Sequence, residues 1–450
     1  SSYFSTTCSS VTSHLRIGLV MKGQYFSPAN IYDDPVTFSS PHHFLEADSP
    51  VQDPSQPKPA PRGTVMSSVI SLLATAMGGG LLSLPHALAN CGLAVGTSFL
   101  VASGLAAGHS LEILVACAQE SGQPSFEGNV RFYLGRGWQI VLNISLVLLL
   151  VLASSAMFVI IMDLAPMLLV SVFGETVFLC KYAVGLYAMA LMFYFSTLDS
   201  LEALKYTSSV ALCCISFFVL AIVFTFVRDP VIFDTVTLAS SPATWFEGLP
   251  IMFSAYCCQF NIFKIKDELR PDQKKNINLI IRLAIPGIAT TLYVTGGMLG
   301  YFMFGADVKQ DLLTEFPSSK LFAVARGMLA LTNMFKLPLL LIPLRMSLLE
   351  AAGFNPVGLN APKRTAFCLA LNLFSFTLAC TLGSLSKALG LSGCTAGVLI
   401  SFVMPGLMRL KHLESRSGLR RGLLQTDGVQ PETGNQTFAK VSAWMLVVGG

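Results

Sequence analysis

Three consecutive glycines, Gly78, Gly79 and Gly80, sit in the middle of an apolar stretch that runs from Val65 to Gly92, with Pro85 just beyond them. The stretch is long enough to cross a bilayer, which takes roughly 20 residues. Glycine costs about 1 kcal/mol relative to alanine inside a helix, so three in a row at mid-stretch predict an interruption. A helix broken at mid-depth exposes amide N–H groups at the start of its second half and carbonyls at the end of its first. Those two poles suit the carboxylate and the ammonium of a zwitterion. Broken backbone is tolerated at that depth only where protein buries it or where it lines a cavity. The competing reading is a face of small residues against a neighbouring helix.

A second stretch bears on that choice. Residues 245–263, WFEGLPIMFSAYCCQFNIF, carry Pro250 near the start and then Gln259 and Asn261. Both polar residues are costly in lipid. Interrupted segments at corresponding places in two halves of a chain are the best sequence pointer to a transporter's binding site, which favours the break. Lys336 is another intramembrane candidate, set between Phe335 and Leu337-Pro338 with Thr332 and Asn333 about one turn earlier. His109 and Glu112 share one helical face, where a His–Glu pair locking two helices is favoured over a proton relay. No nucleophile and base occur together in a supporting context, so no enzyme is expected. The eleven cysteines include Cys117, Cys213, Cys214, Cys257, Cys368 and Cys380 inside apolar segments. Without CxxC or Cys/His spacing they read as small buried hydrophobes, with no metal or cofactor.

These residues need a scaffold, and composition says which kind. The chain has 450 residues, 53% hydrophobic and 12% charged, with a mean hydropathy of +0.64. Soluble domains are nearer 25% charged. An all-α polytopic membrane protein is expected, in a lipid bilayer and without nucleic-acid partners. Residues 1–62 are rich in Ser and Pro without periodicity and read as a disordered cytosolic tail ahead of a membrane domain over 63–450. Spans are expected at about 65–90, 93–117, 140–162, 176–196, 207–227, 245–263, 278–304, 320–344, 365–382 and 388–408, with an eleventh begun near Phe438 and cut off. The chain lacks an initial Met and ends in an apolar run, so a fragment is expected.

Basic residues collect in the connections after even-numbered spans. Lys264, Lys266, Arg270, Lys274, Lys275 and Arg282 form one cluster, and Arg409, Lys411, Arg416, Arg420 and Arg421 another. Arg131, Arg136, Lys363 and Arg364 lie on the same side, whereas the opposite connections hold scattered charges such as Lys181, Arg228 and Lys309. This asymmetry predicts a cytosolic N-terminus. The sequon at Asn435 then falls on the cytosolic side and is discounted. Nothing distinguishes a plasma-membrane from a vacuolar or lysosomal address.

Several motifs match a family in order and spacing. MGGGLLSLPHALANCG (Met77 to Gly92) resembles the first helix of the amino acid/auxin permease superfamily, with its G-x-G-[IL]-L-x-[LI]-P-x-A pattern. FSAYCCQFNIF (Phe253 to Phe263) followed by DEL (Asp267 to Leu269) resembles the sixth. IIMDLAP (Ile160 to Pro166), LPLLLIPLR (Leu337 to Arg345) and LSGCTAGVLISFVMPG (Leu391 to Gly406) resemble parts of the third, eighth and tenth. The branch it most resembles is that of the sodium-coupled neutral amino acid transporters and their protist relatives.

The resemblance implies a LeuT-like five-plus-five inverted repeat with an eleventh helix, helices 1 and 6 broken at mid-membrane, and secondary active transport of amino acids by alternating access. It places the substrate carboxylate on the amides of Gly78, Gly79 and Gly80 after Met77. The ammonium falls to carbonyls near Thr75, Ala76, Phe253, Ser254 and Ala255, and the side chain to the surroundings of Tyr256, Cys257 and Cys258. A β-branched residue at Gly79 is expected to abolish uptake, because the backbone there must leave the helical conformation. Three departures stand out. Sodium-coupled members carry an Asn four residues before the glycine pattern, where this chain has Ala74. They carry a Thr two residues before the helix-8 proline, where this chain has Lys336; a one-turn shift would bring in Thr332. Lys264 and Lys266 replace the Pro and Tyr usual after the sixth helix. The amine of Lys336 is therefore expected to sit where sodium sits in relatives, giving sodium-independent transport with proton coupling open; snorkelling to the interface is the alternative. A membrane amino acid sensor that recruits partners through residues 1–62 is the alternative function.

Overall fold

In the computed structural model of the chain, the residues described are 63–174, 177–196, 207–317, 319–351, 361–414, 441–443 and 446. The tail over 1–62, the sequon at Asn435 and most of the eleventh span lie outside them.

The chain opens with α1 (Val65–Ala76) and α2 (Gly80–Cys91). Thr64 starts α1 through a capping box: its Oγ1 accepts from the Ser67 amide, and Ser67 Oγ accepts from the Thr64 amide. The two helices meet at 55° across residues 77–79, so together they form one bent span. Gly92 ends α2 at φ +84°, where a Cβ would lie 2.5 Å from the Ala239 backbone, so only glycine can make this turn. Then follow α3 (Leu93–Ser121), the short α4 (Phe126–Leu134) capped by Ser125, and α5 (Arg136–Phe173), the longest helix. Next come α6 (Lys181–Ser196) and α7 (Thr207–Arg228).

The second interrupted segment consists of α8 (Pro242–Ala255), an irregular step at 256–258, a 3₁₀ turn at Gln259–Asn261 and α9 (Ile262–Glu268). After a turn over Pro271–Asn276 come α10 (Ile277–Arg282), a π-helical section over Leu283–Ala289 containing Pro286, and α11 (Thr290–Phe304). Pro286 has no N–H to give, and the π section absorbs the defect; Thr290 Oγ1 donates to the Ile285 carbonyl at 2.9 Å. Then follow α12 (Lys320–Ala351), α13 (Ala361–Leu382), α14 (Leu385–Ser392) and π-helical turns at Gly393–Gly397 and Leu399–Val403, after which the same span runs on to Glu414.

This is an all-α polytopic membrane protein. Among the described residues, seven helices are long and apolar enough to cross a membrane, or eight with the bent α1–α2 pair. Each of the first ten expected spans meets a helical segment. Two miss the length test for evident reasons: α6 has 16 residues, and α8 is interrupted. The two interrupted segments pack on one another, α2 against α8, with α11 beside α2 and α7 beside α1. Around them α5 packs along α12 and α14. At the crossing, a Cβ on Gly80 would sit 2.9 Å from the Ala255 Cβ, so glycine sets how closely the two breaks approach.

Candidate substrate site at the paired helix breaks

An α-helix leaves its last four carbonyls without intrahelical partners. At the end of α1 these belong to Ala74, Thr75, Ala76 and Met77, of which Met77 has turned extended (φ −82°, ψ 104°). Lys336 Nζ, from α12, donates to the Ala74 and Met77 carbonyls, each at 3.1 Å. The Ala76 carbonyl accepts from the Tyr293 hydroxyl of α11 at 2.9 Å. The Thr75 carbonyl has no hydrogen-bond partner among the described residues. Across the break, the Gly78 and Gly79 amides find no backbone acceptor there either, and a Cβ on Gly78 would meet only open space. Within residues 75–79, one carbonyl and two amides are thus without a hydrogen-bond partner among the described residues.

Gly79 corrects one expectation. Its backbone is right-handed helical (φ −62°, ψ −17°), a conformation open to any residue. What excludes a side chain is crowding: a Cβ would lie 2.6 Å from Ile160 Cδ1 and 3.3 Å from Leu385 Cδ1.

At the second break, the Phe253 and Ser254 carbonyls take the amides of Tyr256 and Cys257 at 3.2 Å each. The Ala255 carbonyl accepts from Tyr293, 2.9 Å away, so one hydroxyl serves the ends of α1 and α8 together. Tyr256 stacks edge-on to Tyr293, with centroids 5.2 Å apart, and its hydroxyl donates to Thr290 Oγ1 at 3.1 Å. Cys257 and Cys258 are both buried, Cys258 fully. Gln259 is fully buried; its Oε1 accepts from the Cys258 amide at 2.9 Å and from Ser401 Oγ at 2.8 Å. The Ser401 carbonyl in turn accepts from Ser110 Oγ. Asn261 Nδ2 bridges back to Thr75 Oγ1 at 2.7 Å.

The structure therefore brings Ala74, Thr75, Ala76, Met77, the three glycines, Ala255, Tyr256 and Lys336 into one neighbourhood. Thr332 is not drawn into those bonds: its Oγ1 donates to the Met328 carbonyl of its own helix at 2.7 Å. Tyr293, Thr290 and Ser401 were not anticipated. The available signal for Tyr293 was a phenol inside an apolar span, which needs a partner when buried. His109 lies 4.0 Å from Glu112 on the same helix, whereas the bond between helices runs from Arg282 Nε of α10 to Glu112 at 2.6 Å. The lock on Glu112 is thus an arginine from another helix.

The two faces differ. On one, the start of α1 is tied to the segment after α9: the Gly63 amide donates to the Glu268 carbonyl, the Arg270 amide to the Gly63 carbonyl and the Val65 amide to Gln273 Oε1. On the other, where α11 joins α12, a cavity of about 470 Å³ lies beside α2, α5 and the start of α14.

Residues 61–426 match the family model described as transmembrane amino acid transporter protein. The vacuolar amino acid transporter 5 of Schizosaccharomyces pombe is 27% identical over 76% of this chain and 82% of its own length. The vacuolar amino acid transporter 6 of Saccharomyces cerevisiae is 24% identical over 77% and 90%. Human solute carrier family 38 member 10 is 22% identical over 76% of this chain but 32% of its own greater length. With the family model spanning most of the sequence, the chain belongs to the transmembrane amino acid transporter family.

Proposed function

We propose that this chain is a secondary transporter of amino acids, working by alternating access around the paired breaks of a LeuT-like five-plus-five arrangement. The observation that carries the reading is the pair of unmet poles: the Gly78 and Gly79 amides for a carboxylate and the Thr75 carbonyl for an ammonium, beside open space at Gly78. The Ala76 and Ala255 carbonyls each keep a second lone pair for the same ammonium. The Phe253 and Ser254 carbonyls, each already taking one backbone amide, keep a second lone pair in the same way. The surroundings of Tyr256 and Cys257 meet the substrate side chain; Cys258 is fully buried. The stitched backbone at the start of α1 suits a conformation closed on that face.

Coupling follows from Lys336. Its amine bonds the carbonyls that close the first half-helix, the place that the family resemblance assigns to the coupling sodium. A resident cation removes the need for sodium and makes the proton the coupling ion to test. Charge distribution favours a cytosolic N-terminus, which puts the cavity on the non-cytosolic side, and the names of the yeast relatives favour a vacuolar-type membrane.

The test is counterflow of labelled amino acids in proteoliposomes, with sodium and proton gradients varied independently. Exchange of at least one amino acid that persists when choline replaces sodium is expected. Absence of exchange across the whole panel, in protein that still binds an amino acid, overturns transport in favour of sensing.

A further inference from the structure

The connection between α11 and α12 is seated on α2. Ser83 Oγ donates to the Gln310 carbonyl at 2.7 Å, and His86 Nδ1 lies 3.1 Å from the Val308 carbonyl. Between these contacts and α12 stands Asp311, which lines the cavity and is 4% exposed. Its Oδ1 accepts from the Leu313 amide at 3.0 Å and caps the turn Leu312–Thr314. Its Oδ2 has no partner among the described residues. A buried carboxylate with one oxygen unmet carries a large desolvation cost, unless a cation or a proton meets it.

The nearby cations are committed elsewhere. Arg326 of α12 gives its guanidinium to the Leu313 carbonyl at 3.2 Å and to the Phe316 carbonyl. Lys181 of α6 lies 2.5 Å from Asp163 of α5, a second carboxylate of the same cavity. Lys309 is paired with Glu315 at 3.5 Å, and His86 is held by Val308.

We propose that Asp311 Oδ2 is a proton-binding site on the cavity side of the molecule, and that the proton bound there keeps residues 308–315 seated on α2. Because α2 carries the substrate amides at its N-terminus, the site deepens the proton arm of the transport reading and rests on that reading for its role in transport.

The expected pH dependence has a definite sign. Burial first, then the charge of Asp163, raise the Asp311 carboxyl to about 7, while the Leu313 amide, Arg326 and Lys181 pull it back. Released into water, the same carboxyl returns to 3.8. Between those values the seated form holds the extra proton. Seating is therefore strongest below the lower value, weakens as pH rises towards 7, and levels off above it.

Hydrogen exchange of the purified full-length chain in detergent, corrected for intrinsic exchange rates, tests this at about pH 5.5 and about pH 8. Protection of residues 308–316 should fall at least about tenfold at the higher pH. Asp311→Asn should stay protected at both, while Asp311→Glu and His86→Gln keep the dependence. Equal wild-type protection at both pH values overturns the proposal, as does an Asp311→Asn protein that loosens like wild type. Should Asp311→Asn not fold, Asp163→Asn serves instead: it removes the repelling charge and frees Lys181, so the midpoint must move to lower pH, and an unmoved midpoint is equally fatal. Exchange reads the proton without any substrate. A pH transition in a protein with no counterflow therefore refutes transport and leaves the proton site standing.

Discussion

Lys336 Nζ lies 3.1 Å from the backbone oxygen of Ala74, reaching from α12 to the last turn of α1. Its companion bond to the Met77 oxygen has the same length, so the amine spans the carbonyls on either side of the turn where the helix stops. A cation at a helix C-terminus meets the negative end of the dipole, and the charge shortens the list of things the carbonyls still need. One of those oxygens belongs to Ala74, whose side chain has no ligand to offer an ion.

Lys336→Ala should therefore reduce uptake at least about tenfold while the protein still reaches the membrane, since a hydrogen bond to a charged group is worth about 1.5–3 kcal/mol. Wild-type uptake should be unchanged when choline replaces sodium at constant pH. The double change Lys336→Thr with Ala74→Asn should gain sodium stimulation. Collapse of wild-type uptake in choline would sink the resident-cation idea and turn attention to Thr332, whose hydroxyl is now spent on Met328.

Gly78 and Gly79 give a contrasting pair. Gly79→Val should abolish uptake by overpacking, because Ile160 and Leu385 already crowd its Cβ position. Trimming the crowding tip with Ile160→Val should restore part of the activity of Gly79→Ala. A Cβ on Gly78 meets no protein atom within 4 Å, so the thermal stability of Gly78→Ala should match wild type, while uptake should fall if the new methyl enters the space proposed for substrate. A Gly78→Ala protein with an unaltered KM would show that the substrate lies elsewhere.

How much of this was legible beforehand depends on the kind of signal. The break at Gly78–Gly80 was visible because glycine and proline act locally on the backbone. The span order was visible because the bilayer imposes length and hydropathy. The bond between Lys336 and the α1 carbonyls was reachable only by aligning the chain with a family, since 262 residues separate Lys336 from Ala74. Tyr293 and Asp311 left no trace in periodicity. Their roles come from how far helices are pushed together, which depends on pairs such as Gly80 with Ala255 rather than on any local pattern. Gly79 shows the opposite lesson: a bar to larger residues was legible there, but its cause is the side chains of Ile160 and Leu385, not the backbone of Gly79 itself.

Tyr293 offers the most direct test of whether the two breaks act together. Its hydroxyl is 2.9 Å from both the Ala76 and the Ala255 oxygens, yet it has one proton to donate. The two half-helix ends are thus held by a single hydroxyl that can alternate between them, and in the proposed site that hydroxyl shares the two carbonyls with the substrate ammonium. Tyr293→Phe keeps the ring and its edge-on contact with Tyr256 but strips the donor. Leaving buried carbonyls unmet costs about 1–3 kcal/mol, so the variant should melt earlier in detergent. Added substrate, whose ammonium can replace the lost donor, should recover more of that stability than it adds to wild type. Tyr256→Phe is the control: it loses a bond to Thr290 and none to the break carbonyls, so substrate should stabilise it no more than wild type. Equal substrate stabilisation of all three proteins would mean that the Ala76 and Ala255 carbonyls lie outside the ammonium site, leaving the Thr75 carbonyl to hold it alone.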